Sequence, residues 1–288
     1  MDKAITRKAY AKINLGLDVV RRLPNGYHEV RMIMQNVGIY DVLTFEKADE
    51  GITLQVDHQE LPADGNNLIW KAAKLLLETA GIQGGVRITL KKHIPIAAGM
   101  AGGSTDAAAA FLGINELYEI GYDIEQLKAL GVKIGADVPY CIQGGTALAE
   151  GIGEVLRVLP APPACYLVIA KPDINVSTKF VYENLRANEL EYHPDIDGMI
   201  KALEMGDLEG ITGRLGNVLE TVTVPAYPII EEIKAVMRNE GAENALMSGS
   251  GPTVFGIFTN EETAEAAAER VKDAGLAKQV FVTTFVNG

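Results

Sequence analysis

The chain has 288 residues, 48% hydrophobic and 22% charged; that balance excludes a disordered or fibrous protein and leaves room for one large domain or two ordinary ones. A formal net charge of −12 argues against a nucleic-acid surface, which needs clustered Lys and Arg, but leaves nucleotide binding open, because backbone dipoles hold phosphate locally. Cys141 and Cys165 both lie in apolar runs and read as buried thiols of a reducing compartment. The N-terminal stretch MDKAITRKAYAKI has no apolar signal core, and no run approaches the ~18 apolar residues of a membrane span, so a cytoplasmic protein without membrane contact is expected.

Residues 5–20 alternate in polarity and are rich in β-branched side chains, which predicts one long strand or two joined at a bend. Lys12 and Asn14 are two apart and so share a strand face, either a solvated face or one wall of a cleft. Pro24-Asn25-Gly26 signals a turn. Tyr27 and His28 follow it, either as a hairpin tip or as a ring and an imidazole that grip a flat ligand. Residues 30–39, 41–45 and 52–56 read as separate strands. Asn67 caps a helix that stops at Gly81 and carries Trp70 toward the core.

Residues 86–90 form a strand-like run, and residues 107–117 an alanine-rich helical run. Between them lies PIAAGMAGGSTDA, residues 95–107. Glycines let a backbone approach a ligand closely, hydroxyls cap a following helix, and a helix start offers unpaired N–H groups to an anion. Strand, glycine loop and helix start thus make a candidate phosphate cradle; a glycine-rich turn before a capped helix is the plainer alternative. No lysine follows Gly102 or Gly103, which excludes a P-loop, and the glycine spacing does not fit the dinucleotide fingerprint.

A helix near residues 124–130 leads to Gly135-Ala136-Asp137-Val138-Pro139. Asp137 there is either a positioned proton acceptor or the cap of a short helix. Residues 144–159 read as a hairpin around Gly151-Ile152-Gly153, and residues 160–163 as a linker. Beyond it come a strand at 166–170, a Ser177-capped helix to 185, a polar turn-like stretch at 186–195, helical pieces over 196–219 and a helix over 228–239. The turn Ser248-Gly249-Ser250-Gly251-Pro252 either walls a phosphate site or braces the other loop, and it can equally be a tight β-turn. A strand at 253–258, a helix at 261–274 and a strand at 279–286 close the chain.

Three of these stretches resemble, in order, the motifs of the GHMP kinase superfamily: Lys12-Ile13-Asn14-Leu15, then residues 95–107, then Met247 to Pro252. The middle stretch departs from that pattern at Met100, Ala101 and Thr105. Finer marks in residues 9–15, at Asn25 to Glu29, at Gly135 to Pro139 and at Asn217-Val218-Leu219-Glu220 resemble one branch, the kinases of diphosphocytidyl-methylerythritol in the non-mevalonate isoprenoid route.

The resemblance implies a two-domain α+β fold with the active site in the cleft between domains, divided here as residues 1–159 and 160–288. It implies transfer of the γ-phosphate of ATP, with Mg²⁺ accompanying it, to the tertiary 2-hydroxyl of the methylerythritol unit. Asp137 is then the general base, and Lys12 holds it ionised and favours the developing charge. Pro95, Ile96, Ala97, Ala98, Gly99, Met100, Ala101, Gly102, Gly103, Ser104 and Thr105 hold the ATP phosphates. Asn14 orients the substrate, Tyr27 and His28 bind cytosine, and Tyr182 is a second stacking aromatic. The partner is a small molecule carrying a cytidine diphosphate group, not nucleic acid, and the enzyme is a monomer or homodimer. Ala101 is expected at negative φ, with Gly99, Gly102 and Gly103 absorbing any left-handed geometry.

Overall fold

The computed structural model describes residues 4–287; residues 1–3 and 288, which the N-terminal reading and the expected domain limits include, lie outside the described residues. In chain order the elements are β1 (Ile5–Arg22), β2 (His28–Ala48), β3 (Ile52–Val56), α1 (Leu68–Thr79), β4 (Gly85–Lys91), α2 (Gly102–Leu117), α3 (Ile124–Gly131), α4 (Val138–Gln143), β5 (Thr146–Glu150) and β6 (Val155–Val158). They continue with β7 (Tyr166–Lys171), α5 (Thr178–Asn184), α6 (Ile196–Met205), α7 (Leu208–Thr212), β8 (Gly216–Asn217), α8 (Glu220–Ala226), α9 (Ile229–Asn239), β9 (Asn244–Met247), β10 (Val254–Phe258), α10 (Glu261–Asp273) and β11 (Gln279–Thr283). Among the described residues no helix is long and apolar enough to cross a membrane.

Two compact units interleave along the chain: the first holds Met1–Ala11, Ile39–Ile94 and Ala101–Gly144, the second Lys12–Gly38, Pro95–Met100 and Gly145–Gly288. The expected division at residue 159 is a single cut in sequence, whereas these units share out β1, β2 and the glycine loop.

In the first unit, β4 pairs antiparallel with the second half of β2, from Val42↔Lys91 to Ala48↔Gly85, and parallel with β3. Helices α1 and α2 cover this sheet. α1 starts where its sequence says it must, because the Asn67 side chain accepts from Ile69 N at 2.9 Å. α2 is buried almost all round, with Ala107, Ala108, Ala109, Ala110 and Phe111 in the core, so its alanines serve close packing rather than solubility. A Cβ on Gly113 would lie 2.4 Å from the Phe45 ring, which shows how closely the helix backbone approaches β2. Phe45, Leu76, Ile88 and Phe111 sit in the same cluster, each contributing roughly 1.5–3 kcal/mol of burial.

The second unit holds the antiparallel sheet β11-β7-β10-β9. Its strand β10, VFGIF, is buried at every position, as an uninterrupted apolar run requires. Helices α9 and α10 cover this sheet with the apolar stripes Ile230, Ile233, Met237 and Ala264, Ala267, Ala268, Val271. The second half of β1 pairs in parallel with β8 through Gly16↔Gly216 and Leu17↔Asn217, and β5 joins β2 and β6 antiparallel.

Several elements differ from expectation. β2 is one strand of 21 residues rather than two, because Asp41 within it is fully buried and satisfied, whereas β1 is the single long strand that one of the two readings predicts. Residues 216–217 are extended rather than helical, and α8 follows them. The last strand ends at Thr283. Cys165 is buried, and burial pushes its thiol up to about 12, while Cys141 is half-buried rather than enclosed.

Candidate active site

The glycine loop divides between the two units at Met100. Its entry half is held by backbone. Gly99 sits at φ +72°, and a Cβ there would lie 2.5 Å from Ser248 O and 3.0 Å from Gly251 O, so only glycine fits. Ser248 Oγ donates to Gly99 O at 3.0 Å, and Lys12 N donates to Met100 O at 3.2 Å. The Ser248–Pro252 turn thus braces the entry half, and it is itself a turn closed by Gly251 N donating to Ser248 O at 2.9 Å. Met100 is buried and fills the apolar position expected of it.

The turn has its own supports. Asn217 Nδ2 donates to Met247 O at 2.9 Å and to Gly249 O at 2.8 Å. Glu220 accepts from Met247 N at 2.9 Å and from Lys234 Nζ at 2.8 Å. The sequence signals Asn217 to Glu220 as a mark of kinship only; its physical task is to fix the third motif.

The exit half begins α2 at Gly102, five residues earlier than the alanine run suggests. Ala101 occupies the N-cap at φ +56°, ψ +27°, left-handed, which overturns the expected negative φ. The neighbouring glycines do not absorb the geometry, because Gly102 and Gly103 already belong to the helix. A left-handed alanine costs roughly 1–2 kcal/mol. No side chain caps the helix. Thr105 Oγ1 instead donates to Tyr10 O at 2.8 Å, tying α2 to β1. The first N–H groups of α2 therefore lack both an intrahelical and a side-chain acceptor, which is what an anion site at a helix start needs. Pro95, Ile96, Ala97 and Ala98 lead into Gly99, with Ala97 also left-handed at φ +51°, and Ser104 lies half-buried on the first turn.

Lys12 and Asn14 share a face of β1, as their spacing predicts. Both are buried, and Lys12 Nζ donates to Asn14 Oδ1 at 2.7 Å while Asn14 Nδ2 reaches Met32 Sδ at 3.3 Å. A Cβ on Gly249 would lie 3.6 Å from both polar tips, so the ammonium lies against the third motif. Among the described residues of its own unit, Lys12 makes no ion pair with a carboxylate. A buried ammonium that no carboxylate of its own unit neutralises suits an arriving anion.

Asp137 stands in the first unit, half-buried at the N-cap position of α4, with Pro139 at the start of the helix. Its backbone is αR and its side chain makes no cap hydrogen bond, so the capping alternative fails and the carboxylate is available. Val138 and Tyr140 are fully buried and hold the segment rigid. A Cβ on the neighbouring Gly135 would lie 3.9 Å from Ser104 Oγ, which puts this segment beside the start of α2.

His28 and Tyr182 come together in the second unit with ring centroids 5.1 Å apart at 43°. Burial, and then the charge of Arg22, hold the His28 imidazole below its ordinary value, so it is neutral at pH 7. Its Nε2 is buried without a hydrogen-bond partner among the described residues. Tyr27 is 58% exposed at the turn, where Asn25 Oδ1 accepts its backbone N–H at 3.1 Å. Ser177 Oγ accepts from Phe180 N at 3.3 Å and caps α5, the helix that carries Tyr182.

The sequence reading missed one cluster. In the first unit Lys92 Nζ donates to Asp41 Oδ2 at 2.5 Å and to Asp106 Oδ2 at 2.8 Å, all three side chains being at most 4% exposed. Burial and the nearby Asp41 charge outweigh Lys92 and raise the Asp106 carboxyl to about 8. The available signal was an acid, Asp41, between Ile39-Tyr40 and Val42-Leu43.

Residues 67–145 match the family model of the GHMP kinases N terminal domain, and residues 199–277 that of the GHMP kinases C terminal. Fold and sequence thus define a GHMP kinase. A 4-diphosphocytidyl-2-C-methyl-D-erythritol kinase of Lachnospira eligens is 51% identical over 98% of this chain and 98% of its own. One of Lachnoclostridium phytofermentans is 52% identical over 98% of this chain and 97% of its own. The crystal structure of a 4-(cytidine 5'-diphospho)-2C-methyl-D-erythritol kinase superposes with a TM-score of 0.85 at 35% identity, covering 99% of this chain and 100% of that one. A homoserine kinase from Cytophaga hutchinsonii, at 22% identity and a TM-score of 0.80, shares the fold. The chain belongs to the 4-diphosphocytidyl-2-C-methyl-D-erythritol kinase family.

Proposed function

We propose that this enzyme transfers the γ-phosphate of ATP to the tertiary 2-hydroxyl of 4-diphosphocytidyl-2-C-methyl-D-erythritol, with the residues named above in these roles. The observation that carries the reading is the buried Lys12 ammonium, which has Asn14 but no carboxylate of its own unit as partner and faces the Ser248–Pro252 turn. Such a cation is set for phosphoryl oxygens.

The substrate hydroxyl oxygen attacks the γ-phosphorus, the bond to the bridging β,γ-oxygen breaks, and ADP leaves. The proton of the hydroxyl goes to Asp137, since an alcohol is barely acidic and a positioned carboxylate assists its loss as the new bond forms. The N–H groups at the start of α2, with residues 95–105, carry the phosphates, and Lys12 favours charge on the transferring group. Asn14 orients the acceptor beside Lys12. His28 and Tyr182 take the cytosine, the imidazole by hydrogen bond through its unpartnered Nε2 and the phenol ring by stacking. Tyr27, more exposed, closes over the base.

Mg²⁺ comes with ATP and would neutralise phosphate charge. The division at residue 159, with one matched family segment on either side, is proposed as the evolutionary domain boundary. A cytoplasmic monomer or homodimer acting on a small molecule, without nucleic acid, completes the reading.

A coupled assay of ADP release with diphosphocytidyl-methylerythritol, homoserine and mevalonate tests it. Turnover of the first alone is expected. Turnover of homoserine or mevalonate at a comparable kcat/KM overturns the acceptor assignment.

A further inference from the structure

We propose that Lys92, Asp41 and Asp106 form a buried clasp that closes the glycine loop at its two ends and makes Lys92 a positioning residue for the ATP phosphates. This rests on the reading that residues 95–105 hold those phosphates.

The geometry spans both ends. At the entry, Asp41 Oδ1 accepts from His93 N at 2.6 Å and from Ile94 N at 2.8 Å, fixing the backbone that leads into Pro95. Asp41 Oδ2 accepts from Lys92 Nζ at 2.5 Å, and the same ammonium donates at 2.8 Å to Asp106, one turn into α2. Lys92 N is held separately by Asp57 Oδ1 at 2.9 Å. The ammonium lies 3.0 Å from where a Cβ on Gly102 would stand, under the first residue of the helix. A free lysine tip would swing aside for a larger residue. This one is gripped by the Asp41 carboxylate and by the Asp106 carboxyl, so it sets how far the start of α2 can move.

Buried ion pairs are poor devices for stability, because apolar residues of equal volume commonly do as well. What charge adds is a defined position. Apolar contacts alone would tolerate sliding, whereas an ammonium hydrogen-bonded at once to the Asp41 carboxylate and the Asp106 carboxyl does not. An oxyanion is recognised by N–H groups within a few tenths of an ångström of its oxygens, so a slack helix start loses phosphate affinity without losing the fold.

The test uses the full chain and three measurements by calorimetry and melting: the Kd of a non-hydrolysable ATP analogue, the Kd of the cytidine acceptor, and thermal stability. In Lys92→Met the ATP-analogue Kd should rise at least tenfold, while the acceptor Kd stays within twofold. Asp106→Ala keeps the Lys92–Asp41 pair and frees only the exit end; it should raise the ATP-analogue Kd about fivefold and serves if Lys92→Met does not fold. Asp106→Asn retains an oxygen for Lys92 and should return affinity to within threefold of the parent. A folded Lys92→Met or Asp106→Ala chain with unchanged ATP affinity overturns the clasp, as does an equal loss for both ligands, the mark of a structural role alone. Gly103→Asp, which sets a negative charge on the loop itself, separates the two claims. If it abolishes ATP binding while the Lys92 and Asp106 variants do not, the clasp falls and the loop stands; if it too is without effect, both fall.

Discussion

The two halves of the glycine loop are built by opposite means. The entry half, through Gly99 and Met100, is held by backbone carbonyls and a serine hydroxyl from the Ser248–Pro252 turn and by the backbone of Lys12. The exit half, from Gly102 to Asp106, is tied down by buried charge and by the Thr105 hydroxyl on Tyr10. Backbone contacts at van der Waals distance leave no room for error, so the entry half depends on the absence of a side chain. The charged cluster depends on the presence of particular side chains and on their protonation. A substitution therefore acts on the entry half by collision and on the exit half by electrostatics.

The largest effect should come from collision. Gly99→Ala places a methyl 2.5 Å from Ser248 O at a left-handed position, so the turn or the loop must shift. ATP affinity should fall at least tenfold by calorimetry, with lower thermal stability. A variant within twofold of the parent would erase the contrast.

The exit half should answer to pH instead. The Asp106 carboxyl is raised to about 8 in the fold, whereas an exposed aspartic acid titrates near 3.8. The folded chain then binds the extra proton between these values, so this group's contribution to stability is complete below about pH 4 and is lost as pH rises toward 8. Asp106→Asn removes that dependence. The melting temperature of the parent, measured relative to Asp106→Asn, should decline from pH 5 to pH 8 and then level. A difference that rises over this range would show that Lys92 dominates and that Asp106 is ionised throughout.

Ala101 marks the junction between the halves and gives the smallest effect. Replacing it by Gly relieves a left-handed alanine but adds unfolded-state entropy, roughly 1–2 against 0.5–1 kcal/mol. Stability should rise by about 0.5–1 kcal/mol, or about 2 °C in melting temperature. ATP affinity should stay within threefold, because the loop has the same shape with and without the strain. A tenfold gain in affinity would instead mean that Ala101 distorts the cradle.

What was legible in the sequence was local. Asn67 and Ser177 cap helices whose first turns lie within a few residues, so their role can be read directly. The period of two on β1 places Lys12 and Asn14 together without any knowledge of the neighbours. The rest depends on partners distant in the chain. Thr105 looks like a cap but bonds Tyr10, 95 residues away, and Asp41 looks like a strand break but meets Lys92, 51 residues away. Ala101 was unreadable for a different reason: its own preference opposes the conformation that the surrounding fold imposes.

The central claim, that Asp137 takes the proton in a phosphoryl transfer whose phosphates the loop holds, is tested most directly by Asp137→Asn. Asparagine keeps the shape and cannot accept the proton, and general-base assistance is worth roughly 10²–10⁴-fold. With diphosphocytidyl-methylerythritol as acceptor, kcat should fall by at least about a hundredfold on that scale, while the ATP-analogue Kd stays within twofold. A variant that keeps more than about a tenth of the parent kcat would contradict the account, since that loss is smaller than general-base catalysis supplies.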